Sequence, residues 1–190
     1  MHLFKSRTGN RRLPGFTTMI PLMNGLGFRV AGSLILLLLV ISGCQAQQDQ
    51  RDFEANAISP PSGITVTDIH GVTPEGATDP DDWRSSPFYS GIIDISPARP
   101  NPVLSTEEVV IELYMDLDTR VSRIQAVVLH DNGETPPLDD ISGAPLPPGR
   151  HELRFPASSL TRTVSPQGLF RVLVYDGDWQ IISYGDIEVE

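Results

Sequence analysis

Apolar residues are distributed in two ways along this chain. From Val30 to Ile41 they run without interruption as VAGSLILLLLVI, whereas beyond Gly91 they alternate with polar residues in short runs punctuated by glycine and proline. An uninterrupted run of about 12 residues is too short to cross a bilayer, which takes about 20. With Arg29 before it and Ser42-Gly43 after it, the run predicts the apolar heart of a cleaved secretion signal over residues 1–43. The alternating region predicts strands. Ile92 to Ile95 forms one, closed by Pro97, and Glu107 to Tyr114 places Val109, Ile111 and Leu113 on one face. Val121 to His130, Glu152 to Phe155, Leu169 to Tyr175 and Gln180 to Tyr184 follow, with Ile187 and Val189 closing the chain. Asp176-Gly177 is a hairpin signal, the proline-rich stretch after His130 reads as a loop, and Ala157 to Leu160 allows a helical turn. About seven short strands with frequent turns predict an all-β fold, an antiparallel immunoglobulin-like β-sandwich over residues 92–190.

Two segments lie between signal and sandwich. Residues 44–63 are rich in Gln, Asp, Ser and Pro without apolar periodicity, which predicts a flexible tether spanning roughly 20–25 Å as a coil. Residues 64–91 carry turn residues at nearly every third position. Trp83, Phe88 and Tyr89 are expected to pack onto the sandwich, making this stretch an extension of it.

Charge narrows the range of partners. The whole chain carries −10, but all five basic residues before Cys44 (Lys5, Arg7, Arg11, Arg12, Arg29) are lost with the signal, leaving nine of 14 cations against 24 acidic residues, or −15. So negative a surface repels phosphate backbones and argues against nucleic acid as a partner. Lys5 is the only lysine. Both a high-salt habitat and an arginine-biased genome fit that usage.

Ile41-Ser42-Gly43-Cys44 resembles the lipobox of bacterial lipoproteins, an aliphatic residue and two small ones before a cysteine. The resemblance implies cleavage before Cys44, diacylglycerol on its thiol and a fatty acyl chain such as palmitate on its new amino group. Cys44 is the only cysteine, so no intramolecular disulfide competes for it. The membrane is then a partner through lipid on Cys44, and more than one acyl chain makes such anchoring stable. Gln45, where inner-membrane lipoproteins of enterobacteria carry Asp, favours the outer membrane by analogy. Met19 or Met23 would also serve as a start, giving a shorter signal.

The C-terminal part resembles a second family, the immunoglobulin-like sorting module of type IX secretion cargo and the related domain of flagellar hook-capping proteins. The matching pieces are Ser96-Pro97-Ala98-Arg99-Pro100-Asn101-Pro102, Val121 to Val128 leading to Asp131-Asn132-Gly133, Leu146 to Phe155 with Gly149 and His151, and Pro166 to Phe170 with Gly168. The resemblance implies the sandwich, glycine turns at Gly149 and Gly168, and a structural place for His151. It also implies an alternative function, that of a secretion-system accessory or cargo recognised through this domain.

Catalytic patterns are sparse. His70, His130 and His151 lack the short spacing of a helical metal site, and neither a Gly-x-Ser-x-Gly elbow nor a phosphate-binding glycine loop occurs. Asp79, Asp81 and Asp82, or Asp116 with Asp118, offer carboxylates for calcium but do not follow the EF-hand order and read as solvated turns. The expectation is therefore a protein with no enzymatic activity, cofactor or metal, whose anchored sandwich mediates protein contact or envelope assembly with a partner in the envelope.

Overall fold

A computed structural model describes residues 45–116, 121–143, 145–161 and 167–190. The signal segment, Cys44 and Asp118 lie outside the described residues. Seven strands form two antiparallel sheets facing one another. One sheet is ordered β1 (Ile93–Ile95), β2 (Glu108–Met115), β5 (Gly149–Pro156); the other is β4 (Pro137–Ser142), β3 (Arg123–Leu129), β6 (Gly168–Asp176), β7 (Ile181–Val189). The immunoglobulin-like sandwich expected from the strand pattern is the observed fold.

The alternation explains which face is buried. Val109, Ile111 and Leu113 of β2 and Leu153 and Phe155 of β5 point inward and meet Ile124, Ala126, Val128, Val172, Val174, Ile182 and Ile187 from the other sheet. Ile111 stands opposite Leu153 in the register, so both bury against the same layer. Full burial of a side chain of this size contributes about 1.5–3 kcal/mol. Gly149 and Gly168 open their strands at φ +113° and +131°, where a side chain would be strained. The helical turn at Ala157–Leu160 is a single 3-10 turn whose Ala157 and Leu160 are buried.

Four details differ from the sequence expectation. β4 forms where a loop was expected: Pro137 opens it, and because β4 pairs only with β3 it is an edge strand, where a missing N–H is tolerated. The last two apolar runs are one continuous strand, β7. Gly185 at its middle is no break, because the Trp83 indole lies directly against it. Trp83 and Tyr89 do pack on the sandwich, but Phe88 is exposed.

The fourth difference concerns the tether. Residues 45–57 form a helix, α1, rather than a coil. Its apolar content is only Phe53 and three alanines, Ala46, Ala55 and Ala57, yet Gln50, Phe53 and Ala57 recur at spacings of three and four and are all buried. Side-chain bonds one turn apart, Gln48 to Asp52 at 2.8 Å and Gln50 to Glu54 at 2.9 Å, reinforce it. Pro60 and Pro61 follow its end, where proline cannot continue a helix.

The extension and the segment between β1 and β2 together seal the free edge of β7. Ser86 N–H donates to Ile182 O, Trp83 N–H to Tyr184 O and Val103 N–H to Glu188 O, each over 2.8–2.9 Å. Asp82 accepts from Asp186 N–H at 3.0 Å, and Asn101 accepts from Glu188 N–H while donating to Asp186 O. An open β edge invites pairing with another chain, so the turn-rich sequence has a structural task.

Candidate functional site

The four-stranded sheet has an outward face that is apolar where most such faces are wet. Val127, Leu173, Ile181 and Tyr184 lie on it, and α1 covers them with Phe53 and Ala57. Phe53 meets Tyr184 at a ring separation of 5.0 Å, and the Arg84 guanidinium lies over the Phe53 ring, 5.4 Å from its centre.

A buried ion pair fixes the C-terminal end of the helix. Arg171 of β6 and Asp186 of β7 stand opposite one another in the register, at 4% and 1% exposure. They bond through two contacts, Nε to Oδ1 and Nη2 to Oδ2, the latter at 3.0 Å. Arg171 Nη1 also donates to the carbonyls of Asn56 (2.9 Å) and Ala57 (3.2 Å) in the last turn of α1, the first of which also accepts from Ser59 N–H at 3.1 Å. The same guanidinium lies 4.8 Å from the Tyr184 ring centre. Asp186 in turn accepts from Ser62 N–H at 2.9 Å, so the chain after α1 is held as well.

Asp82 sits beside this pair. Its two carboxyl oxygens accept from Thr65 N–H (2.8 Å) and Asp186 N–H (3.0 Å), joining the extension to β7. Burial, helped by the neighbouring Asp186 charge, pushes its pKa up from 3.8 to about 7, against the pull of its backbone bonds. Asp81 and Asp79 remain in the same turn, where Asp79 accepts from Asp81 N–H. Among the described residues no group of three or more His, Cys, Asp or Glu is arranged to hold a metal ion.

The histidines stand on separate elements. His70 is exposed in a turn, His151 of β5 lies 2.7 Å from Pro147 O, and His130 follows β3. His130 borders a groove of about 480 Å³ beside the end of α1, lined also by Ile58, Pro60, Leu129, Arg171 and Tyr175. Its Nε2 is buried and finds no hydrogen-bond partner.

At the opposite end of α1 stands the β6–β7 hairpin. Asp176 holds it, accepting from the N–H groups of Asp178 (2.8 Å) and Gln180 (2.9 Å), and Tyr89 donates its hydroxyl to the same carboxylate. Burial together with Asp176 raises the Tyr89 pKa. Among the described residues no helix is long and apolar enough to cross a membrane.

No protein-family model matches this chain, and no curated protein does. Some solved structures share part of its shape. An LPMO from Kitasatospora papulosa aligns at 12% identity and TM-score 0.32 over 48% of this chain, which spans about half (52%) of that protein's length. The alkylpurine DNA glycosylase AlkC of Pseudomonas fluorescens aligns at 11% and 0.33, covering 52% of this chain and 30% of the glycosylase. A Niemann-Pick type C2 protein from the Japanese carpenter ant aligns at 8% and 0.28, over 46% and 78% of the two chains.

Proposed function

We propose that this chain is a non-enzymatic bacterial lipoprotein, exported on a signal peptide and held to the cell envelope by lipid on Cys44, with its β-sandwich serving protein contact or envelope assembly. The observation that carries this reading is the sequence LLLLVISGC, an apolar run ending in small residues and the chain's sole cysteine. The two sheets and the helix packed on them are built from residues 45–190, all on the C-terminal side of Cys44, which is compatible with that reading. Asp82, the carboxylate with the most displaced titration among those described, is occupied in joining two parts of the fold, which supports a structural use of it. Gln45 after the cysteine favours the outer membrane. A Cys44→Ser variant expressed in a bacterial host should leave the membrane fraction for the soluble one. Unchanged membrane retention of that variant would contradict the proposal.

A further inference from the structure

Two aromatic side chains are exposed at one end of the sandwich, Phe88 at 49% and Trp179 at 63%. A sequence of contacts puts the start of α1 at that end. The carbonyl of Ala57 meets Arg171, Phe53 packs on Tyr184, and Gln50 accepts from Phe88 N–H at 3.3 Å. Along β6, Arg171 thus lies by the end of the helix, while Tyr175, further along the strand, packs against the cluster that holds Phe53 and meets Trp179 edge-on at 5.7 Å. α1 therefore runs opposite to β6, and its residues before Gln50 extend toward the hairpin at about 1.5 Å each. Phe88 is fixed between the two, since its neighbour Tyr89 bonds to Asp176 at the base of the hairpin.

Trp179 is also in an unusual backbone state. Its φ is +62°, a position that glycine or asparagine fills without strain, and its indole gains little burial in return. A strained turn that displays tryptophan suggests a use for the exposed ring.

We infer that this aromatic end is a membrane-contact face, seated among the headgroups of a zwitterionic phospholipid bilayer. The inference rests on the reading of Cys44 as the lipid anchor. Gln45 begins α1 and is bonded to Cys44, so the acyl chains would leave the protein beside Phe88 and Trp179 rather than at the end of a long leash. Indole and phenyl rings favour the membrane–water boundary, where one part is apolar and the other wet. Asp49, Asp52 and Asp178 are exposed near this end and outnumber the exposed Arg51, a net negative charge that repels anionic headgroups and selects the zwitterionic surface.

The test uses the full acylated protein in phosphatidylcholine vesicles with and without bromine on the acyl chains. Trp83 and Trp179 are the only tryptophans, so a Trp179→Phe variant reports Trp83 alone, and the difference isolates Trp179. Brominated lipid should lower the Trp179 emission by about half, as for a ring at headgroup depth. If Trp179 stays unquenched and open to aqueous acrylamide on protein whose mass includes the acyl chains, the contact face is overturned while the anchor stands. A mature N-terminus without acyl mass overturns both. Trp179 shielded in native envelopes but unquenched in protein-free vesicles would assign the tip to a protein partner and overturn the inference.

Discussion

Replacing Arg171 by methionine keeps most of the side-chain volume and removes everything polar that the guanidinium does. Asp186 is left as a buried charge beside Asp82, and the carbonyls of Asn56 and Ala57 lose the guanidinium, Asn56 keeping its bond from Ser59 N–H. Breaking a buried pair by removing one partner costs about 3–5 kcal/mol, most of it the uncompensated charge. The carbonyls at the end of α1 can recover water if the helix lifts, so their loss adds little to that figure. With each kcal/mol worth about 2–4 °C in a domain of this size, Tm should fall by about 10 °C. Urea unfolding measures the loss, and amide exchange over 45–57 reports whether α1 has come loose. An Arg171→Met/Asp186→Asn double variant removes the stranded charge and should recover about half of the loss, since strongly coupled neighbours are not additive. A single variant that loses less than about 1 kcal/mol would refute the assignment of this pair as the helix clamp, as would a double variant less stable than the single one.

Three further perturbations test other parts of the fold. Gly185→Ala places a methyl group inside the Trp83 indole; the expected cost is about 2–4 kcal/mol with a red shift of tryptophan emission, and an unshifted spectrum at wild-type stability would count against the packing of the extension. Phe53→Ala should cost about 3 kcal/mol and speed amide exchange across α1 before the strands, whereas uniform exchange would mean that α1 is not a separate layer. Asp82 makes stability depend on pH: its folded pKa of about 7 exceeds the unfolded 3.8, so the unfolded chain gives up its proton first. Stability from this group is therefore greatest below about pH 4, declines up to about pH 7 and is flat above, a loss of about 1–2 kcal/mol after allowing for partial exposure. Urea midpoints of wild type and Asp82→Asn at pH 4, 5.5 and 8 measure it, and parallel pH profiles for the two proteins would contradict it.

The sandwich is legible in the sequence because its strands obey a simple rule. In β2 the inward Val109, Ile111 and Leu113 alternate with outward Glu108, Val110, Glu112 and Tyr114, and Val110 is the one apolar residue on the outward side before Tyr114. Outward residues of the same sheet form an ion ladder, Glu112 with Arg150 at 2.7 Å and Arg154 with Glu108 at 3.1 Å, that reads in sequence only as scattered charge. β4 is hidden because Pro137, Asp139 and Asp140 all argue for a loop; their tolerance there depends on its position at the sheet edge, which is a tertiary fact. α1 is hidden because two buried apolar residues in 13 positions leave no periodic signal, and its stability comes from the sheet beneath it. Of the site, Cys44 is conspicuous as the only cysteine after an apolar run, and the clamp is not. Arg171 and Asp186 interrupt two strongly apolar strands, and a charged residue inside each of two runs that form a hairpin is the signal that could have paired them.

The stretch that the sequence reads as a leash is folded in α1 against the sheet, so lipid on Cys44, as proposed, would hold the domain close to the bilayer. Cys44 thus carries the whole reading of location and of the membrane-contact end. The mass of the N-terminal peptide of the mature protein, isolated from membranes, tests it most directly. The predicted peptide begins at Cys44 and bears diacylglycerol on sulfur together with an acyl chain on its amino group. A peptide beginning at any other residue, or a Cys44 with a free thiol, would contradict it.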